Sequence, residues 1–315
     1  MTDKISTKES MGTQYVINYL NEERRITVSP EETILEASLK ADIRHPHVCG
    51  SNARCSSCRV VVERGIENCS ERSEEAGRVA TKLGFGPELR LACQTTVKGD
   101  IAIRKPKMDA TDIEIASLTI AESGENKIGE EKQLTIAFVD IEGYTAFTES
   151  VQAYDLVHVL NRYYYVMGKV IRKYNGQIID YYGDGLLAVF GFKDPEQMAH
   201  DGVAAGKAMM KEVESFNDYL HGFLKHKFKI RVGIHTGKVI VGNIGFKGMR
   251  KLAVIGDAVN FASRIDHANK ELNTRFLVSA ATYEKVGGDF SFVKEHEVEV
   301  KGKKGVHKLY ELKEM

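Results

Sequence analysis

The sequence has 315 residues, which is enough for two ordinary domains that each bury a core of their own. Lys and Arg together number 44, as do Asp and Glu, so the chain has no basic field for nucleic acid and no polybasic membrane footprint. No run of 18 apolar residues occurs and the first 12 residues are mostly polar, so we expect neither a signal peptide nor a membrane-spanning segment in this chain.

The first part of the chain has the pattern of a small β-rich domain, which we place at residues 13–106. Polar and apolar residues alternate over 13–28, a pattern that predicts a β-hairpin. A short helix over 33–39 and strands over 58–63 and 100–103 are expected to follow. The periodicity then fades into a charged stretch, so residues 107–131 are predicted to form a linker, in which 113–120 could add a strand or helical turn.

The second part, residues 132–315, mixes strands and helices and contains no internal repeat. The pattern predicts a buried strand, a long helix, a hairpin centred on Gly183-Asp184-Gly185, a second long helix, two strands, and a helix that starts near Ala258. The buried strand is predicted at 134–140, the two long helices at 153–174 and 196–219, and the two strands at 229–235 and 239–245. A strand-rich end completes the domain, and the fold class expected for the whole chain is α+β.

The cysteines point to a metal cluster. Cys49, Cys55 and Cys58 have the spacing C-x5-C-x2-C and Cys93 follows at a distance, so four thiolates could hold a 2Fe–2S cluster with two sulfurs per iron. A four-cysteine zinc site is the alternative, although zinc ligands usually come as two close pairs. The fifth, Cys69, lies outside this spacing and is taken as an ordinary free cysteine. Because the cysteines are odd in number and four of them are clustered at the spacing of metal ligands, we expect a reducing, cytoplasmic location rather than a disulfide framework.

Two histidines, His45 and His47, precede the first cysteine and raise the alternative of a Rieske-type cluster. Their spacing does not fit that pattern, so we take them as loop residues. The segment 14–106, including the loop CGSNARCSSC and the stretch LACQTTV, resembles ferredoxins of the adrenodoxin type. The resemblance implies a β-grasp ferredoxin domain with the four spaced cysteines as ligands and an electron donor as a candidate partner.

Two aspartates sit where an acidic residue is unusual. Asp140 ends the strand predicted over 134–140, and Asp184 lies at the predicted hairpin tip, although Asp is disfavoured within strands. Gly-Asp-Gly is also ordinary turn chemistry, so position alone leaves a purely structural interpretation open.

Five motifs that occur in one order favour a functional interpretation of the two aspartates. They are FVDIEGYT, YYGDGLLAVFG, RVGIHTGKVIVGNIG, VIGDAVNFASRID and VKGKKG. Together they resemble the catalytic domain of class III adenylate and guanylate cyclases over residues 132–312. The resemblance implies a ferredoxin-like βαβ core with a mixed or antiparallel sheet. It also implies a head-to-tail homodimer in which one subunit supplies the metal aspartates and the other an Asn/Arg pair.

By position, Asp140, Asp184 and the Ile141 carbonyl match the ligands of two Mg²⁺ or Mn²⁺ ions, and Asn260 and Arg264 match the transition-state pair. The implied reaction is attack of the ribose 3′-hydroxyl on the α-phosphate with loss of pyrophosphate, which suits two-metal catalysis. Arg264 would contact the charge that develops on the phosphate, and Asn260 would orient the ribose.

The triphosphate would meet further groups. Lys301 matches the family's phosphate lysine, with Lys303 as a close alternative. The backbone N–H groups of Gly143, Tyr144 and Thr145, at a predicted helix start, could receive phosphate oxygens.

The choice of purine is left open by the motifs. ATP-using members usually carry Lys four residues before the second metal aspartate, and guanylate cyclases carry Glu; here the residue is Asp180. The second selector position is Ala253, where ATP enzymes show Asp or Thr and GTP enzymes often Cys. A carboxylate suits the donors of guanine, although adenine's amino group could also donate to it. We expect ATP as substrate, with GTP as the alternative.

Two further readings remain. The chain could be an electron-transfer ferredoxin with a non-catalytic cyclase-like dimerisation module, although retention of all five matched side chains argues against degeneration. If the chain is a cyclase, the cluster could regulate catalysis through its redox state. Alternatively, it could serve only to stabilise the ferredoxin domain.

Overall fold

The computed structural model describes residues 13–107, 109–112, 114–115, 129–300, 303 and 305–313. These residues divide into two compact units, one ending at Glu130 and one beginning at Glu131. Most of the predicted linker, residues 107–131, and most of the element predicted over 113–120 lie outside the described residues, as does Lys301. None of the described helices is both long and apolar enough to cross a lipid bilayer.

The N-terminal unit is a small sheet crossed by helices. Its strands are β1 (Tyr15–Tyr19), β2 (Arg24–Val28), β3 (Arg59–Arg64), β4 (Leu89–Leu91) and β5 (Ile101–Arg104). Its helices are α1 (Ile34–Lys40) and α2 (Glu74–Leu83), with short 3₁₀ turns at Ile66–Asn68 and Ala92–Gln94. The predicted hairpin, first helix and two strands are present, whereas α2 and β4 were not predicted.

The sheet order β2-β1-β5-β3-β4, with β1 and β5 parallel and the other neighbours antiparallel, is the β-grasp arrangement. Helix α1 starts at a capping box, because the Thr33 hydroxyl accepts from the Glu36 N–H while the Glu36 carboxylate accepts from the Thr33 N–H. Ile34 and Leu35 on this helix are fully buried and pack with Ile17 of β1 in one core.

The C-terminal unit is larger. Its strands are β6 (Glu130–Ile141), β7 (Gln177–Tyr182), β8 (Gly185–Phe190), β9 (Ile230–Ile244), β10 (Lys251–Ile255), β11 (Phe276–Ser279), β12 (Phe292–Glu299) and β13 (Val306–Leu312). Its helices are α3 (Tyr144–Ser150), α4 (Ala153–Lys173), α5 (Met198–Leu224), α6 (Asp257–Leu272) and α7 (Ala280–Val286).

The strands of this unit form one mixed sheet in the order β12-β13-β11-β9-β6-β8-β7, with β10 added to the far half of β9. Strands β9 and β11 are parallel, whereas β8 pairs antiparallel with both β6 and β7. The largest core lies between the sheet and helices α4 and α5, where every fourth residue of α4, from Val159 to Ile171, is buried. A second core on β6, β8 and β9 packs against β10 and α6.

The prediction of two separate strands over 229–235 and 239–245 was wrong, because β9 runs unbroken from Ile230 to Ile244. Residues Thr236 and Gly237, which lie between the two predicted strands, form a packing site within β9. The buried Thr236 hydroxyl exchanges hydrogen bonds with the hydroxyls of Thr135 at 2.8 Å and Thr282 at 3.0 Å. A Cβ at Gly237 would lie 2.7 Å from the Cβ of Ala258, so glycine lets α6 approach the strand. Strand β10 and helix α7 were not predicted, whereas α3 begins at Tyr144, where a helix start was expected.

Candidate functional site

The four spaced cysteines of the N-terminal unit form two pairs. The Sγ atoms of Cys58 and Cys93 lie 3.5 Å apart, and Cys49 and Cys55 are in hydrogen-bond contact with each other. Among the described residues, no three His, Cys, Asp or Glu side chains are grouped closely enough to hold a single ion. Two thiol pairs match a cluster with two sulfurs per iron better than a four-sulfur zinc site, so the cysteines fit a 2Fe–2S group.

Hydrogen bonds also hold the cysteine loop in shape. The Ser57 hydroxyl lies 3.1 Å from the Cys55 sulfur and accepts from the Val48 N–H at 3.0 Å. Within the second pair, the hydrogen bond donated by Cys58 lowers the pKa of Cys93 to about 6, and the same contact together with burial raises the pKa of Cys58. One member of this pair is therefore poised as a thiolate, the form that binds iron.

The histidines near the loop are not placed as ligands. His45 is 3% exposed, and its two ring nitrogens lie 3.2 Å from the Ser38 hydroxyl and 3.2 Å from the Cys58 carbonyl. His47 contacts the His45 carbonyl at 2.8 Å. Cys69 is buried and forms a backbone bridge with Val97, away from the thiol pairs. Both ring nitrogens of His45 thus have partners within the protein, and the expectation that the two histidines are loop residues stays a prediction.

In the C-terminal unit, the two aspartates matched to metal ligands lie side by side. Asp140 and Ile141 end β6, and Asp184 lies in the β7–β8 turn, where its Oδ2 accepts a hydrogen bond from the Ile141 N–H at 3.2 Å. The turn is held by the Tyr164 hydroxyl, which donates to the Gly183 carbonyl at 2.5 Å, and Gly183 adopts a left-handed φ of 64°.

The electrostatics of this pair fit a cation. Burial and the neighbouring Asp140 carboxylate raise the pKa of Asp184. The buried Oδ1 of Asp140 has no hydrogen-bond partner among the described residues, and a buried carboxylate oxygen without a partner is costly. Adjacent carboxylates with an unpartnered oxygen are the donor set that Mg²⁺ and Mn²⁺ prefer.

Sequence reasoning missed two residues at this site, both on helix α6. The Lys270 Nζ lies 3.6 Å from Asp140 Oδ2. Asp266 is 4% exposed, and its Oδ1 also lacks a partner among the described residues. Burial, together with the Asp140 charge, raises the pKa of Asp266 to about 8. The available signal was the position of Asp266 two residues after Arg264 in the ASRID motif.

Asn260 and Arg264 lie elsewhere on the same helix. They line an open groove of about 750 Å³ between α6 and the end of β12, together with residues 298–300. At roughly 100° per residue, Asn260 and Arg264 point within about 40° of each other, whereas Asp266 points about 120° away from Asn260. Within one chain, the Asn/Arg pair and the aspartates therefore face different sides of α6.

The expected phosphate contacts are placed in part. Helix α3 begins at Tyr144 after Gly143, whose φ is 72°, and no side chain caps the first turn, which also contains Thr145. Lys303, the alternative to Lys301, forms an ion pair with Asp257 on the first turn of α6 and lies over the Phe261 ring.

The two positions matched to purine selection lie on different strands. Asp180 is on β7, with its Oδ2 2.7 Å from the Nζ of Lys251. Ala253 is on β10, opposite Gly242 of β9.

Comparison with known proteins agrees with this architecture. Residues 127–314 match the family described as the adenylate and guanylate cyclase catalytic domain, and residues 17–98 match the 2Fe-2S iron-sulfur cluster binding domain. The chain is 32% identical over 189 residues to an adenylate cyclase of Anabaena cylindrica, covering 58% of this chain and 37% of that protein. It is 33% identical over 184 residues to the terminal-differentiation-specific adenylate cyclase of Dictyostelium discoideum, covering 58% of this chain and 9% of that protein.

Two solved structures are similar to the C-terminal unit. The guanylyl cyclase Cya2 is 30% identical with a TM-score of 0.55, covering 58% of this chain and 93% of Cya2. The adenylyl cyclase CyaB from P. aeruginosa is 29% identical with a TM-score of 0.55, covering 59% and 96%. The chain thus spans well under half the length of the curated relatives named above. With more than half of its residues matched, the chain belongs to the adenylate and guanylate cyclase catalytic domain family, and it carries a 2Fe–2S cluster binding domain N-terminal to that domain.

Proposed function

We propose that this protein is a nucleotide cyclase that converts a nucleoside triphosphate, with ATP expected and GTP as the alternative, to a 3′,5′-cyclic nucleotide and pyrophosphate. The observation that carries the proposal is the pair Asp140 and Asp184, whose carboxylates are adjacent while one buried oxygen lacks a partner. When bound there, two Mg²⁺ or Mn²⁺ ions would supply Lewis-acid activation of the 3′-hydroxyl and neutralise the triphosphate.

The other side chains act on the nucleotide directly. Arg264 presents a fixed fork of donors to the charge that grows on the α-phosphate, and Asn260 orients the ribose from the same face of α6. Lys301 and the N–H groups of Gly143, Tyr144 and Thr145 would bind the remaining phosphate oxygens.

A homodimer completes the site in this proposal. The aspartates and the Asn/Arg pair face different sides of α6 within one chain, so a single copy does not bring all four side chains to one substrate. A second copy, arranged head to tail, would place its Asn260 and Arg264 opposite the aspartates of the first and create two equivalent composite sites.

The N-terminal unit is proposed to hold a 2Fe–2S cluster through Cys49, Cys55, Cys58 and Cys93. None of the five cysteines, all of which lie among the described residues, forms a disulfide, and a reducing, cytoplasmic location is proposed for the protein. Electron transfer from a donor protein would then change the charge of the cluster by one unit, and this change is the proposed regulatory input to cyclisation.

The test is turnover with Mn²⁺ and with ATP or GTP, followed by chromatographic detection of the cyclic nucleotide and pyrophosphate. Asp140→Ala and Asp184→Ala should each abolish the product without loss of helical circular dichroism. Asp289→Ala, which removes an exposed carboxylate in the same unit, is the matched control and should leave turnover unchanged. Absence of cyclic product from the wild-type protein with either nucleotide would overturn the proposal.

A further inference from the structure

Lys270, in the last turn of helix α6, places a positive charge beside the candidate metal site. Its Nζ lies 3.6 Å from Asp140 Oδ2, and this is the ion pair that Asp140 forms among the described residues. The other oxygen of Asp140, Oδ1, is buried and has no hydrogen-bond partner in the described part of the chain. The carboxylate therefore has one oxygen that faces an ammonium group and one oxygen that faces no donor.

The position of Lys270 follows from the helical repeat and from the packing of α6 on strand β9. Asp266 and Lys270 are four residues apart, so their side chains lie about 40° apart around the helix axis and share one face. A Cβ at Gly233 of β9 would lie 2.3 Å from the Asp266 N atom, so glycine lets this face of α6 lie directly on the sheet. Strand β9 is the neighbour of β6, which ends at Asp140 and Ile141.

The ion pair is loose and reaches solvent, so it can break. At 3.6 Å its two atoms are farther apart than in a hydrogen bond, whereas the exposed pair of Lys308 and Glu295 in the same unit lies at 2.7 Å. The Lys270 side chain is 53% exposed and that of Asp140 only 14%. The flexible four-carbon stem of a lysine lets its charge move into water while the carboxylate stays in place.

Lys270 also offsets the negative charge of the aspartate pair as a whole. The Asp140 and Asp184 carboxylates repel each other, and the Lys270 ammonium acts against this repulsion at Asp184 as well. Arg231 is a second cation near the site, but its guanidinium lies 3.5 Å from the Glu142 carboxylate and is shared with it. Lys270 is thus the cation that directly contacts the pair.

We propose that Lys270 is an internal counterion of Asp140 that competes with the divalent cation and so sets the affinity of the metal site. The inference rests on the proposed cyclase function and concerns the regulation of that same site. Mg²⁺ binds carboxylate oxygens at about 2.1 Å and carries two charges. By charge and distance, its attraction to Asp140 is roughly three times that of an ammonium group at 3.6 Å, so Lys270 yields its place when a cation binds.

Displacement of Lys270 lowers the affinity for two reasons. The ion pair with Asp140 is lost, and the ammonium group, which remains tethered to α6, repels the cation that replaces it. A lysine at this position therefore raises the concentration of divalent cation at which the site fills. It is a residue that tunes the site and takes no part in the chemistry.

The experiment measures Mn²⁺ binding to the full-length protein in the absence of nucleotide, after divalent cations have been removed with EDTA. The electron paramagnetic resonance signal of unbound Mn²⁺ gives the Kd, and Asp140→Ala identifies the binding that belongs to this site. Lys270→Met removes the charge but keeps the length of the apolar stem. Because ion pairs of this exposure change an equilibrium by up to about fivefold, we expect the Kd for Mn²⁺ to fall by about three- to fivefold.

Two further variants separate charge from shape. Lys270→Arg keeps the charge and should bind Mn²⁺ within about twofold of the wild type, since a cation still faces Asp140. The matched control is Lys308→Met, which removes the exposed ion pair with Glu295 elsewhere in the unit and should leave the Kd unchanged.

Thermal unfolding gives a second measurement. In EDTA, Lys270→Met should unfold at a lower temperature than the wild type, because the carboxylates lose their counterion. At one fixed Mn²⁺ concentration the variant should gain more stability than the wild type, because stabilisation by a ligand increases as its Kd falls. If Lys270→Met folds poorly, Lys270→Gln takes its place in both measurements.

An unchanged Kd for Mn²⁺ in the uncharged variant would overturn the proposal. A higher Kd would also overturn it, since that result means that Lys270 holds Asp140 in place for the metal rather than competing with it. A wild-type protein without any Mn²⁺ binding that Asp140→Ala removes would instead refute the proposed metal site and the cyclase function with it, so the two failures are distinguishable.

Discussion

Asp266 gives the sharpest quantitative test of the electrostatics around the paired aspartates. Burial, together with the Asp140 charge, raises its pKa from an ordinary value of 3.8 to about 8. The folded protein therefore holds a proton on this carboxyl between about pH 4 and 8 that the unfolded chain releases. Stability contributed by the neutral acid is complete below pH 4 and is lost as the pH rises to 8.

The magnitude follows from the same shift. From pH 5 up to the folded-state pKa of about 8, a span of three pH units, the folded state holds the proton and the unfolded chain does not. Each of these units lowers the free energy of unfolding by about 1.36 kcal/mol. Asp266 alone should therefore lower the free energy of unfolding by about 4 kcal/mol across this range, a large part of the total for a typical domain. In Asp266→Asn the side chain keeps the shape of the neutral acid but cannot titrate, so this contribution should disappear.

The measurement is urea unfolding at pH 5, 7 and 9 in EDTA, followed by far-UV circular dichroism, with the visible absorbance of the cluster reporting separately on the N-terminal unit. As the pH rises from 5 to 9, the free energy of unfolding of Asp266→Asn should increase by about 4 kcal/mol relative to that of the wild type. Asp289→Asn, on the surface of the same unit, should follow the wild type. Parallel pH curves for wild type and Asp266→Asn would refute the reasoning.

Three other outcomes are expected. The purified protein should be brown with about two irons per chain, since a 2Fe–2S cluster takes two thiolates per iron, and Cys55→Ser should bleach it; a colourless protein with one zinc would contradict the proposed cluster. Arg264→Ala should lower kcat by about 10²- to 10³-fold, as for loss of one transition-state donor, with KM less affected. Mixing Asp140→Ala with Arg264→Ala chains should restore part of the activity, because one composite site in the heterodimer is intact; a verified heterodimer without activity would argue against a shared site.

The sequence was sufficient where function depends on residue type at short spacing. The cysteine loop, the Asp184 turn and the helix that carries Asn260 and Arg264 were predicted at their observed positions, because each is defined within a few residues. It was insufficient where a contact joins distant segments. Thr236 lies between the two strands that the sequence predicted, and no local pattern shows that its buried hydroxyl contacts those of Thr135 and Thr282.

Helix α6 brings these observations into one argument. One face of the helix places Asp266 and Lys270 near Asp140 of its own chain, and another places Asn260 and Arg264 in a groove whose described lining includes neither Asp140 nor Asp184. In the proposed homodimer, the first face would serve one composite site and the second face the other. A rotation of this 16-residue helix would then move Asp266 and Lys270 beside the aspartates of one site and Asn260 and Arg264 of the other site together. Any input that moves α6 would therefore act on both proposed sites at once rather than on one.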